Sequence, residues 1–187
     1  EEKKQCWANK DNGHSPNFWS RSMGWFTMAM VDALELIPLN TRHREKMIDN
    51  LISLFVSLRC YADSDTNLWY QVTNLKKNPA NYLEQSGSAL ILASMVKAVR
   101  MGWINQQHWK KFIEKGWCNL TKYFITFNDD GCVNVNHICE VAGLGGYPYR
   151  DGSFAYYVSE PIVSNDNKGI GACLYFACEL KKIGWIS

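Results

Sequence analysis

Apolar residues recur at three- and four-residue spacing in five stretches, the period of helices that bury one face. The spacing predicts helices over 18–36, 42–60, 83–101, 105–127 and 168–183. Trp25, Met28, Val31 and Leu34 follow that period in the first, and Pro38 ends it. Met47, Ile48, Leu51, Leu54, Phe55 and Leu58 mark one face of the second. Gly102 stops the third, and Asn105 stands where an N-cap opens the fourth. Pro16 suits the opening of the first helix, where its missing N–H costs nothing. Between the second and third helices, 61–80 reads as a long polar loop, with a short apolar piece at 68–72 able to form a strand. Asp129-Asp130-Gly131 marks a turn, and 132–136 alternates as a strand does. Residues 142–151 are glycine-rich, and a short segment over 153–159 leads to Glu160-Pro161.

Two of the helices repeat each other. The third carries Gly87-Ser88-Ala89-Leu90-Ile91-Leu92-Ala93 and closes on Gly102-Trp103-Ile104. The last carries Gly169-Ile170-Gly171-Ala172-Cys173-Leu174-Tyr175 and closes, at the same offset, on Gly184-Trp185-Ile186. Gly24 of the first helix aligns more weakly with Gly87. Small residues at a helix start suit an inner helix whose N-terminal end comes close to its neighbours. The second and fourth helices, with more polar faces, then lie outside. Inner–outer hairpins bury their faces only by stacking on one another, and these loops are long for a four-helix bundle. The expected fold class is all-α, an (α/α) toroid, as one domain over 1–187.

Composition narrows the function classes. At 187 residues one domain with a sizeable core is expected. A net charge of +2, from scattered Lys and Arg, argues against a nucleic-acid partner. No run approaches the roughly 18 apolar residues of a membrane span. Eight tryptophans and nine tyrosines fit an aromatic-lined carbohydrate pocket or a large helical core. The seven cysteines include no CxxC pair, against a zinc or thioredoxin-like motif. Their apolar neighbours suggest mostly buried free thiols and a reducing compartment, the cytoplasm rather than the periplasm. Cys132 and Cys139 flank a short extended segment and are placed to pair in an exported protein. The sequon Asn119-Leu120-Thr121 lies inside a helical pattern.

The candidate chemistry gathers near the inner-helix starts. Trp19, Arg21 and Trp25 fall within two turns, a guanidinium between two indoles. Aromatic faces suit sugar rings, and a fixed fork suits a uronic-acid carboxylate. The plainer alternative makes both tryptophans core and Arg21 a surface charge. Nearby loops add His14, Glu84, Tyr149, Arg150, Glu160 and Lys168 as lesser pocket candidates. Glu84 and Glu160 suit either general acid–base work or helix-start capping. The segment Asn165-Asp166-Asn167-Lys168-Gly169 also suits a simple cap and turn. The histidines show no metal-ligand spacing. Gly143-Leu144-Gly145-Gly146 sits in no strand–helix unit, so it is not a dinucleotide fingerprint. No metal and no cofactor is expected.

Four separated motifs then occur in one order. They are Phe18-Trp19-Ser20-Arg21-Ser22-Met23-Gly24-Trp25, Asn81-Tyr82-Leu83-Glu84-Gln85-Ser86-Gly87-Ser88-Ala89, Val141-Ala142-Gly143-Leu144-Gly145-Gly146 and Tyr157-Val158-Ser159-Glu160-Pro161-Ile162-Val163. Together they resemble the C-terminal half of the unsaturated rhamnogalacturonyl hydrolases, glycoside hydrolase family 105. The resemblance implies a six-hairpin (α/α) barrel, of which this chain would be an incomplete half. It implies an unsaturated pectic oligosaccharide as partner, a 4,5-unsaturated galacturonyl residue linked to rhamnose. The implied reaction is vinyl-ether hydration: an aspartic acid protonates the double bond, water adds at the far carbon, and the hemiketal opens. Trp19 and Trp25 match stacking positions and Arg21 a carboxylate or polar contact. The family's catalytic aspartate lies in a Trp-x-Asp segment upstream of the matching region. No counterpart precedes Trp19, where Cys6-Trp7-Ala8-Asn9 belongs to another motif and Glu1-Glu2-Lys3-Lys4 begins the chain. The chain alone is therefore expected to be inactive or severely impaired, with no catalytic residue of its own, and exposed inner-helix faces are expected to drive self-association. The alternatives are a non-catalytic carbohydrate-binding or structural helical remnant, or another α/α-toroid hydrolase or lyase with its acid among Glu84, Asp151 and Glu160.

Overall fold

A computed structural model describes residues 4–186. The long helices are α1 (Ser20–Leu36), α2 (Arg44–Tyr61), α3 (Gln85–Arg100), α4 (Gln106–Phe124) and α6 (Asn167–Lys182), with a short α5 (Phe154–Ser159). Two small antiparallel sheets join β1 (Ile125–Phe127) to β2 (Val133–Val135), and β3 (Ile138–Cys139) to β4 (Ile162–Val163). No helix among the described residues is long and apolar enough to cross a membrane.

Helix α3 is the central element, with every residue of 85–99 buried. It packs between α1 and α6, while α2 lies against α1 and α4 against α3. These are the expected inner and outer roles. The small residues at the inner-helix starts explain the spacing. A Cβ on Gly87 would come 2.6 Å from the Ser20 backbone carbon, and one on Gly24 would come 2.7 Å from Leu90 Cβ. Gly169 makes the same kind of approach, 2.7 Å from Gln85 Oε1. On the outer side, Phe55, Trp109, Phe112 and Trp69 join through edge-to-face contacts at 6.1 to 6.3 Å.

The opposite, C-terminal ends of the inner helices are tied by charge. Lys97 of α3 holds Asp32 at 2.6 Å and Glu35 at 2.5 Å, both from α1. Arg100 holds Glu179 of α6 at 2.9 Å. Tyr175 of α6 donates to Asp32 at 3.2 Å, closing the cluster across all three helices.

Several expectations need correction. Pro16 does not open α1, which begins four residues later at Ser20. The chain runs extended past it because Thr73 N–H donates to the Phe18 carbonyl (2.8 Å) and Ser20 N–H to that of Gln71 (3.0 Å). Helix α4 stops at Phe124, because 125–127 pairs with 133–135. The stretch 68–72 forms only isolated bridges, Tyr70 with Leu83 and Trp19 with Val72. All seven cysteines are free, and five are exposed. Apolar neighbours in sequence misled here, since Cys60, Cys118 and Cys178 lie on outward faces of their helices. Cys132 is exposed beyond the β1–β2 turn while Cys139 is buried, so the two do not pair. Asn119 of the sequon donates to the Thr66 carbonyl at 3.1 Å.

Candidate functional site

The extended approach to α1 places Trp19 at its N-cap, half-buried. The indole Nε1–H donates to Gln71 Oε1 at 3.0 Å. Gln71 in turn donates from Nε2 to the Tyr157 carbonyl at 3.2 Å. The Trp19 and Tyr157 rings stack, with centroids 6.3 Å apart and planes 26° from parallel. Three distant segments thus lock one aromatic pair. It lines a cleft of about 270 Å³ together with Asn17, Ser22, Gly143 and Leu144. A second cleft, of about 450 Å³, adjoins it through Ser15 and Phe18 and contains Trp7, Asn9 and the exposed His14. Among the described residues, no acidic side chain lines either cleft. Burial, the largest influence, pushes the Tyr157 hydroxyl up to about 12, with the charges of Asp151 and Cys139 acting the same way. It is a neutral hydrogen-bonding group at ordinary pH.

Beneath Trp19 lies a buried polar knot. Arg21 is 1% exposed and Glu84 is fully buried. The surface-charge alternative for Arg21 is thereby excluded. Its Nε donates to Ser86 Oγ at 2.6 Å, and its Nη2 to the Cys139 carbonyl and, at 3.5 Å, to Glu84 Oε1. The guanidinium carbon lies 5.2 Å from the Trp19 ring centre. Glu84 caps α3: Gly87 N–H donates to Oε2 at 2.6 Å, while Ser86 Oγ (2.7 Å) and Cys139 N–H (3.1 Å) donate to Oε1. With so many donors converging on it, Glu84 is a capping acceptor and not an available acid. Tyr82 stands beside this knot with a buried, unpartnered hydroxyl. Burial first, then the nearby Cys139 and Glu84, push its pKa up.

The remaining candidates are dispersed. Trp25 is exposed further along α1 and lines neither cleft. Tyr149, Arg150 and Glu160 meet in a third cleft of about 370 Å³ with Tyr147 and Tyr156. Lys168 folds onto Asp166 at 2.8 Å, and Asp166 Oδ1 accepts the Lys168 N–H, so this segment is a cap and turn. Asp151 is exposed and accepts from Ser153 N–H at 2.8 Å, which holds its carboxyl below the usual range. Sequence reasoning did not single out Gln71, Tyr157 or Cys139 as site residues. Only the inclusion of Tyr157 in a motif signalled any of them, since no spacing rule links 19, 71 and 157.

Comparison with known proteins bears on this geometry. The profile of Glycosyl Hydrolase Family 88 matches residues 1–183. A family-105 glycoside hydrolase of C. acetobutylicum ATCC 824 superposes with a TM-score of 0.93 at 42% identity, over 97% of this chain and 50% of that one. Protein Atu3128 of Agrobacterium fabrum is 34% identical, over 91% of this chain and 75% of its own length. An unsaturated 3S-rhamnoglycuronyl hydrolase of Alteromonas sp. is 27% identical, over 92% of this chain and 37% of its own length. The chain therefore spans half the length of the solved relative it matches.

Proposed function

Because the chain belongs to Glycosyl Hydrolase Family 88 by its profile and is akin to the family-105 glycoside hydrolases, we propose that it forms the sugar-holding wall of a hydrolase for unsaturated pectic oligosaccharides. The observation that carries this reading is the Trp19–Tyr157 pair, clamped by Gln71 at the mouth of the inner helices. A 4,5-unsaturated galacturonyl ring, flattened around its double bond, suits such a stack better than a fully puckered saturated one. Arg21 acts from beneath by fixing the indole. Its fork is committed to Ser86, Glu84 and Cys139, so its role here is positioning.

The proposed reaction is hydration of the vinyl ether. A proton goes to one alkene carbon, water adds to the other, and the hemiketal opens to release the rhamnose-bearing remainder. Among the described residues, neither cleft around Trp19 supplies a carboxylic acid. The donor is assigned to the family's Trp-x-Asp segment, which has no counterpart in residues 1–187. Binding cannot replace a missing proton donor. The 187-residue chain alone should therefore bind and not turn over. A cytoplasmic setting is proposed over a periplasmic one, on the seven free thiols.

Two measurements test this. Titration calorimetry should show the chain preferring unsaturated galacturonyl-rhamnose over its saturated form, with Trp19→Ala weakening binding about tenfold. Absorbance of the conjugated double bond should stay constant with the chain alone. Equal weak binding of both sugars, or clear turnover by the chain alone, overturns the reading. A second reading, a binding module without chemistry, is favoured by the lack of an acid in both clefts among the described residues. The intact mass of the natural protein separates them: close to 21.5 kDa supports the module, and about twice that supports the enzyme.

A further inference from the structure

The third cleft holds a cation, Arg150, with a built seat and no ion-pair partner among the described residues. The glycine-rich loop closes on itself through paired backbone bonds between Gly145 and Arg150, at 2.8 and 3.2 Å. Arg150 Nε donates to the Gly145 carbonyl at 3.0 Å. A Cβ on Gly143 would lie 2.9 Å from Nη1, and one on Gly146 would lie 2.9 Å from Nη2. Both positions must stay glycine for the guanidinium to sit where it does. No carboxylate among the described residues comes within the 4.0 Å of an ion pair with it. Glu160 lines the same cleft without reaching it, and Tyr147, Tyr149 and Tyr156 supply ring faces and hydroxyls. Burial, then a hydrogen bond to Glu160, push Tyr156 up to about 12, so it stays a neutral donor.

The cleft is also back to back with the Trp19 cleft. Tyr156 faces one and Tyr157 the other, with ring centres 5.2 Å apart. Gly143 belongs to the wall of the Trp19 cleft and donates its N–H to the Tyr156 hydroxyl at 3.1 Å.

We propose that this cleft is an accessory subsite for a uronic-acid residue of an acidic oligosaccharide. Its carboxylate lies on the Arg150 fork, its hydroxyls on Glu160, and its ring against the tyrosines. The planar guanidinium fork grips a carboxylate by two parallel bonds, and the Nε bond to the Gly145 carbonyl limits how that fork can turn. The Glu160 carboxylate beside it accepts hydrogen bonds from hydroxyls, which a sugar acid has and a simple anion lacks. The inference rests on the reading of the Trp19 cleft as an acidic-sugar site.

The test compares three probes by titration calorimetry. They are the unsaturated galacturonyl-rhamnose disaccharide, the tetrasaccharide with a second galacturonate, and that tetrasaccharide with its carboxyls reduced. The wild-type chain should bind the tetrasaccharide more tightly than the disaccharide, and carboxyl reduction should abolish that advantage. Arg150→Gln should lower the tetrasaccharide-to-disaccharide affinity ratio about tenfold. Arg150→Lys, which keeps the charge without the fork, should restore only part of it. An unchanged ratio in Arg150→Gln overturns the subsite. So does an equal drop in Tm for Arg150→Gln and Glu160→Gln with the ratio preserved, which would make the pair structural. Arg150-dependent binding of the tetrasaccharide without any binding of the disaccharide would retain the subsite and remove the Trp19 reading. Binding of neither removes both.

Discussion

Arg21 and Glu84 meet with nitrogen and oxygen 3.5 Å apart, at 1% and 0% side-chain exposure. Removing one partner of such a pair strands the other in the interior, which costs far more than the pair itself contributes. Glu84→Gln is sterically mild but places an amide NH₂ among donors from Ser86, Gly87 and Cys139. It should lose about 3 kcal/mol in chemical denaturation. Tyr157 makes a second prediction. Its folded pKa of about 12 stands above the ordinary 10.0, so the unfolded chain ionises first. Its contribution is complete below pH 10 and disappears as pH rises through 12. Tm should fall across that window together with the rise of tyrosinate absorbance. At this scale the sequence was only partly legible. Trp19 was visible as an aromatic at a helix start. The burial of Arg21 was not, because its partners Ser86 and Cys139 are 65 and 118 positions away.

Helix starts carry a different lesson. The repeated small residues predicted close approach, and Gly87 and Gly169 do lie where a Cβ would collide with a neighbouring segment. Gly87→Ala should destabilise the fold by about 2 kcal/mol or more, since the obstacle is the Ser20 backbone and not a movable side chain. The other ends of the same helices predict an acid response. The hydrogen bond from Lys97, the largest influence, holds Glu35 below its ordinary 4.5. A depressed carboxylate stabilises the fold above its unfolded value, and that stability is lost as pH falls through the lower folded value. Lys97 loses some charge preference to desolvation, but its bonds to Asp32 and Glu35 outweigh this and raise its pKa overall. Tm measured from pH 7 to 3 should fall below about pH 4.5, and Lys97→Met should flatten that fall. Helix boundaries were legible to within two residues for α1, α2 and α3, because caps and periodicity are local. The end of α4 was not, because β2 lies beyond the turn that follows it.

The molecule as a whole leaves apolar side chains on the flanks of its inner row. Trp25 and Phe26 of α1 are 41% and 55% exposed, and Leu174 of α6 is 60% exposed. In isolation the 187-residue chain should associate through these faces. Sedimentation velocity should show mass rising with concentration, and a Trp25→Glu/Phe26→Glu double variant should suppress it; a wild-type monomer at all concentrations would contradict the expectation. The sequence by itself determined the five long helices, the inner and outer roles they play, and the four motifs by which the chain is placed in its family. Those features rest on hydrogen bonds and side-chain spacing within a few residues, so a linear pattern encodes them. Only the tertiary structure decided which groups meet: Trp19 with Gln71 across 52 positions, Gln71 with Tyr157 across 86, and the Arg150 seat between two glycines facing an open cleft. Such contacts depend on how the inner helices stack and where their loops fold back, and no short-range pattern carries that information.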